Sequence, residues 1–330
     1  MRSAIQPFRE FHADALDPQL LQSEMQEHGY VLIRDLVSTA ALDELLSQII
    51  IVVSSAGWLL RGSDPRQRLA EPTAACVDDD AAFKAVAQRV FCLESFHRMP
   101  HSPSLVRVME MIAGTELLIH PRSVPRLVFP NAHNFRSTAH QDHQAIAGDA
   151  ESFTAWMPLH DCPVELGPLQ VVDASHRFGL QPTMANSIIP RDSALGQGWT
   201  GGAIHAGDVL FFHSMTVHAA TPNSSDQLRI SLDCRFQNLN RPINPANIIF
   251  PGTGSKSWES TYEGWSSSDL QYYWRRLPLR FKPSPAELVR LANEYPSPEW
   301  RSRYSRILLQ MKRYYPELLD QETTPASESQ

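Results

Sequence analysis

From about Glu116 to Phe236 the chain is a succession of short apolar or alternating runs: "ELLIH", "RLVFP", "SFTAWMPL", "GPLQVV", "GDVLFFHS" and "RISLDCRF", parted by Pro, Gly and Asn. Runs of this length suit strands, in which successive side chains point to opposite faces. No helical pattern falls between them, so an antiparallel sandwich or barrel is expected here.

The flanks read differently. Asp17 and Pro18 start a helix over "PQLLQSEMQEH" and Gly29 stops it. Tyr30 to Ile33 is a short strand, and Ser38 caps a second helix that aligns Leu42, Leu45, Leu46 and Ile49. "DDDAAFKAVAQRVFCLESF" brings acidic residues to the first turn of a third helix. Beyond Asn240 the chain is Pro-rich and then helical in "SDLQYYWRRL", "SPAELVRLANEY" and "RYSRILLQMKRYYPELL". The expected organisation is one domain over 1–320, with a helical wrapper (1–115), a barrel core (116–240) and a C-terminal helical extension (241–320). The tail 321–330, "QETTPASESQ", has no large apolar side chains and is expected to be disordered.

Composition narrows the function. The 330 residues carry a formal charge of −7 without a basic run or an Arg/Lys stripe interleaved with aromatics, which speaks against nucleic acid as a partner. The first residues, "MRSAIQPFREFHADALDP", break their apolar residues with charges and proline, unlike a secretory h-region. The uncharged, apolar-rich run Leu45 to Leu60 has sixteen residues interrupted by Ser and Gln, which suits a buried helix better than a membrane span. Cys76, Cys92, Cys162 and Cys234 show no paired spacing, which predicts reduced thiols. A soluble cytoplasmic protein, monomer or homodimer, with no membrane or nucleic-acid partner is expected.

The stretch "STAHQDHQAI" suits a polar loop, the corner of a metal site or the acid/base group of a hydrolase. If Ala139 to His143 is extended, His140 and Asp142 share one face while Gln141 and His143 take the other. An imidazole and a carboxylate on one face are two-thirds of the facial triad that binds Fe(II) and leaves positions open. Downstream, "GDVLFFHSMTVHAATPNSSDQLRISLDCRF" holds His213 and His218, then a turn-like "TPNSSD", then a strand from Arg229. His218 and Arg229 would flank a hairpin and present one residue each to the same interior. A fixed guanidinium there suits bidentate capture of a carboxylate, and Ser231 shares its face as a hydroxyl donor.

The order His140-x-Asp142, His218, Arg229-x-Ser231 resembles the Fe(II)/2-oxoglutarate dioxygenases, in particular the phytanoyl-CoA dioxygenase-like branch. "MQEHGYVLIRDLVSTAALDEL" resembles that branch's helix-strand-helix entry, and "AHQDH" its HxD segment. "TAWMPLHDCPVELGPLQVVDASHRFG" resembles its tryptophan-bearing strand and "GPL…V…SHR" segment. "AGDVLFFHSMTVHAATPNSSDQLRISL" resembles its distal-histidine segment, with the arginine eleven residues after His218. The likeness runs from about Glu24 to Phe236.

It implies a double-stranded β-helix, or jelly roll, with iron on His140, Asp142 and His218. Arg229 and Ser231 would hold the distal carboxylate of 2-oxoglutarate, and Trp156 would line the cosubstrate pocket. Ala220 departs from the pattern, because some members place a small hydroxyl residue there. The implied reaction consumes O2 and 2-oxoglutarate, releases succinate and carbon dioxide, and attacks a C–H bond of a small-molecule metabolite. An intact carboxylate at Asp142, where related halogenases carry a small residue, favours hydroxylation over halogenation. Desaturation, epoxidation or ring formation on the same centre is the nearest alternative. A cupin-like zinc hydrolase or isomerase would have no use for Arg229 and Ser231 at this spacing, and a catalytically silent binding module should tolerate loss of Asp142. Arg122, Arg126, Asn134, Arg136 and Arg235 are candidates for contacting an anionic substrate, and the aromatic "LQYYWRRL" for covering the mouth, building a dimer contact or packing on the barrel. His213 is read as a satisfied histidine at a strand end, and His143 as facing away from the metal.

Overall fold

A computed structural model describes residues 5–131, 138–183, 198–252 and 257–320. Its centre is two facing sheets. The larger has seven strands in the order β1 (Glu10–His12), β2 (Tyr30–Arg34), β8 (Val209–His213), β5 (Ser152–Pro158), β10 (Arg229–Asn238) and β3 (Leu117–Ile119), with β4 (Val124–Val128) also on β10. The smaller has three, β7 (Trp199–Thr200), β6 (Leu169–Val172) and β9 (His218–Ala220). This is the jelly-roll arrangement that the family resemblance implied, and it agrees with the sandwich or barrel expected from the strand pattern. The ten-residue β10 organises the large sheet. Its first half pairs with β4 and its end with β3 along one edge, while β5 lines the other, Thr154 opposite Arg235 and Trp156 opposite Asp233.

Alternation along β10 separates two environments. Ile230, Leu232, Cys234 and Phe236 join Phe153, Ala155 and Met157 of β5 in the main core. The helices α1 (Pro18–His28), α2 (Thr39–Ser55), α3 (Ala81–Phe91), α4 (Glu94–Arg98) and α5 (Pro103–Ala113) cover that face. The opposite row, Arg229, Ser231, Asp233, Arg235 and Gln237, looks between the sheets. Trp156, Leu210, Phe212, Leu169, Val171 and Ala220 form a second apolar cluster there, drawn from both sheets. With both faces covered, the strands read as nearly unbroken apolar runs, and each fully buried aliphatic side chain contributes about 1.5–3 kcal/mol.

Several local expectations need correction. Ser38 occupies the N-cap of α2 without a side-chain hydrogen bond to it, so that helix rests on its buried Leu42, Leu45, Leu46 and Ile49. Asp80 is the N-cap of α3, and its carboxylate accepts from Val77 N rather than from the helix, whose first turn holds no acidic residue. Asp17 does cap α1, accepting from Gln19 N and Leu20 N, and Gly29 closes it at φ 76°. The central region is not wholly free of helix: α6 (His143–Ile146) makes one turn after the HxD segment. "SDLQYYWRRL" contributes only a short 3-10 turn at Tyr273–Arg276, with Trp274 fully buried against Trp258, Tyr314 and Tyr315. Its Tyr273 hydroxyl donates to Ile119 O, so this segment packs on the large sheet. The last helical run divides at Pro316 into Pro298–Tyr314 and Pro316–Asp320.

Candidate metal and cosubstrate site

Ala139 to His143 is not a strand. His140 forms an isolated antiparallel bridge with His218, and Asp142 already has helical angles, φ −59° and ψ −31°, at the start of α6. The turn still sends His140 and Asp142 to the same place. Asp142 Oδ1 lies 3.7 Å from His140 Nε2 and 3.8 Å from His218 Nε2, and the imidazole centroids are 4.2 Å apart. One ligand atom from each residue falls within 4.8 Å of the others, the one such group among the described residues. Gln141 points the other way, fully buried, donating to Met215 O and Gly179 O and accepting from Gln181 N. It ties the HxD turn to the segments leading into β9 and out of β6.

Each donor is oriented from behind. His140 Nδ1 lies 2.7 Å from Thr138 O and His218 Nδ1 3.0 Å from Thr216 O, so each Nδ1–H is spent on a carbonyl and Nε2 presents its lone pair inward. Burial pushes the His218 imidazole down to about 3, aided by His140, which keeps it neutral, the form a metal ligand requires. Burial alone would raise the Asp142 carboxyl, yet Arg235 and both imidazoles hold it well below the usual range. Thr154 Oγ1 donates to Asp142 Oδ2 at 2.6 Å, leaving Oδ1 for the centre of the group. The sequence reading missed Thr154, although it lies two residues before Trp156 and so shares its face.

His218 and Arg229 do not share a hairpin. β9 pairs with β6 in the small sheet, and β10 lies in the large one, so the connection between them crosses the molecule. The two residues face each other from opposite sheets. Arg229 Nη1 donates to Gly167 O, and the guanidinium stands 6.0 Å from the centroid of the Trp156 ring. Gly167 has φ 78°, and a Cβ there would meet Thr221 O at 2.5 Å, so the carbonyl that anchors Arg229 depends on a glycine. Arg229 Nε and Ser231 Oγ are buried without a hydrogen-bond partner. Buried donors left unpaired are costly, so the pair fits a ligand with a carboxylate. The His-Asp-His set is likewise the donor chemistry of a mononuclear non-haem iron centre.

Other candidates separate cleanly. His213 ends β8, where Nδ1 accepts from Met215 N and the ring packs on Phe153, outside the three-residue group. His143 gives its backbone N–H to Ser214 O. Arg126 pairs with Asp233 at 2.7 Å, and Arg122 donates to Ala246 O and Gly252 O. Arg235 reaches 3.6 Å from Asp142. Asn134 and Arg136 lie outside the described residues. Ala220 is buried in the apolar cluster between the sheets.

A jelly roll that gathers two histidines and an aspartate beside a buried arginine–serine pair defines the class of non-haem iron oxygenases. The phytanoyl-CoA dioxygenase family model matches residues 25–231, and the chain belongs to that family. It is an oxidoreductase, a dioxygenase dependent on Fe(II), 2-oxoglutarate and O2. It is 26% identical over 245 residues to 1-deoxypentalenic acid 11-beta-hydroxylase of Streptomyces exfoliatus, covering 67% of this chain and 81% of the relative. The Streptomyces arenae protein of the same name is 24% identical over 240 residues, with the same coverage. In fold it is similar to the non-haem α-ketoglutarate-dependent epimerase SnoN from nogalamycin biosynthesis, solved with Fe3+, α-ketoglutarate and nogalamycin RO. The TM-score is 0.54 at 21% identity, over 73% of this chain and 92% of that one. Among the described residues no helix is long and apolar enough to cross a membrane, and all four cysteines are free thiols.

Proposed function

We propose that the chain hydroxylates an unactivated C–H bond of a small-molecule metabolite or biosynthetic intermediate. His140, Asp142 and His218 are the iron ligands, and Arg229, Ser231 and Trp156 bind 2-oxoglutarate. The observation that carries this reading is the pair of unpartnered buried donors, Arg229 Nε and Ser231 Oγ, in a fold that also gathers the three-residue group between its sheets. A hydrolytic zinc site has no use for that pair. The hydroxylase names of the sequence relatives support hydroxylation over desaturation, epoxidation or ring formation.

Bound iron supplies the oxygen-activating chemistry that couples decarboxylation of 2-oxoglutarate to C–H oxidation. The protein side chains do the rest. Arg229 and Ser231 fix one end of the cosubstrate, so the opposite end is directed to His140, Asp142 and His218. Trp156 and the apolar residues around it exclude water from the cosubstrate, which strengthens the Arg229 ion pair. Thr154 keeps Asp142 Oδ2 occupied, so Oδ1 is the oxygen that would be free to hold the metal.

The test is turnover in labelled dioxygen with a panel of small carboxylic acids and their amides as substrates. A product one labelled oxygen heavier, formed with equimolar succinate, is the expected result. A product that loses two hydrogens without label, or no succinate at all, overturns the hydroxylase reading.

A further inference from the structure

We infer that Arg235 is a second carboxylate-binding arginine of this site, holding a carboxylate at the level of the metal ligands, apart from the one at Arg229; this rests on the function proposed above. Four arginines surround the space between the sheets, and three are already committed. Arg126 meets Asp233 through Nε and Nη2, both at 2.7 Å, with Asp78 at 3.9 Å from Nη1. Arg122 spends Nη1 and Nη2 on Ala246 O and Gly252 O at 3.0 and 3.1 Å. Arg229 is anchored on Gly167 O and faces the cosubstrate end.

Arg235 differs. Its side chain is 14% exposed, and its Nε is buried with no hydrogen-bond partner. Among the described residues its ion-pair partner is Asp142, with Nη2 3.6 Å from Oδ1, beyond hydrogen-bonding distance. Asp142 cannot serve Arg235 in full. Oδ2 is taken by Thr154, and Oδ1 is the oxygen that faces both histidine Nε2 atoms. A metal ion held by Asp142 would offset the charge that Arg235 faces and leave a guanidinium whose donors are mostly unspent. A buried charge in that state requires an anion, and the planar fork of arginine suits a carboxylate.

The carboxylate has two possible sources, the substrate or the metal-chelating end of 2-oxoglutarate, and they are separable. Wild type, Arg235→Gln and Arg235→Lys are compared anaerobically. In one arm 2-oxoglutarate is titrated into the Fe(II)-loaded protein, followed by its visible charge-transfer band. In the other, acetate, benzoate and cyclohexanecarboxylate, each beside its amide, are titrated into the Fe(II)–2-oxoglutarate complex, followed by perturbation of that band. Arg235→Gln is expected to weaken one of the two carboxylates about tenfold or more while Fe(II) affinity holds, with Arg235→Lys between it and wild type. The arm that falls names the source, and in the second arm the amides do not respond. Carboxylate affinities unchanged in both arms overturn the inference. So does a loss of Fe(II) affinity as large as the carboxylate loss, because Arg235 is then only a support for Asp142. A wild-type protein that takes up Fe(II) but gives no band with 2-oxoglutarate overturns the proposed function as well.

Discussion

Thr154 and Asp142 are joined by a 2.6 Å hydrogen bond from the threonine hydroxyl to Oδ2, and both side chains are buried. The bond links the central strand β5 of the large sheet to the turn that carries the HxD segment. It also makes the two carboxylate oxygens inequivalent, one held by protein and one turned to the histidines.

Replacing Thr154 tests that division. Thr154→Val keeps the shape and removes the donor, a charge-assisted bond of about 1.5–3 kcal/mol. Fe(II) affinity should fall roughly ten- to hundredfold, while Thr154→Ser stays near wild type. Titration with Fe(II), or with Co(II) as a spectroscopic probe, measures this. Equal affinity in Thr154→Val and wild type would show that Asp142 needs no such support.

Arg229→Met should raise the 2-oxoglutarate concentration needed for half-saturation about tenfold or more, with Fe(II) binding nearly unchanged. The comparison needs metal and cosubstrate titrations on the same preparation. Parallel loss of both would assign Arg229 to structure.

His213 and His218 lie close in sequence and separate in space. His213→Gln is expected to bind Fe(II) within about threefold of wild type, because the side chain is outside the ligand group. His218→Gln should lose most metal binding. The reverse order would exchange their roles.

Stability should fall with acid even without metal. Burial pushes His97 down to about 4, with His101 adding to it, and burial pushes His101 itself down to about 4. The unfolded chain takes up these protons first. Their contribution is therefore complete above the ordinary value of 6.5 and is lost as pH falls towards 4. Denaturant midpoints between pH 7 and 4 should decline, and His97→Gln should flatten the decline by up to about one proton. A flat wild-type profile would contradict this.

Much of the fold was legible because short apolar or alternating runs parted by Pro, Gly and Asn mark strands from local sequence alone. Asp17 and Gly29 were legible for a similar reason, since capping chemistry is local. The HxD segment was less so: its spacing suggested a strand, but Asp142 is helical and His140 is held by a single bridge to His218. The spacing of His218 and Arg229 suggested the wrong pairing, because β9 and β10 lie in different sheets and a jelly-roll crossing depends on contacts made far along the chain. Arg122 and Arg126 could not be sorted from Arg235 by sequence. Their partners, Ala246 O, Gly252 O and Asp233, come from distant segments. Thr154 was within reach through its shared face with Trp156.

The most direct measurement is anaerobic titration of Fe(II) and then 2-oxoglutarate into wild type and Asp142→Ala. The account predicts a visible charge-transfer band in wild type that saturates at one equivalent of iron, and a weak band or none in Asp142→Ala. No band in wild type, or equal bands in both proteins, would contradict an iron centre built on His140, Asp142 and His218.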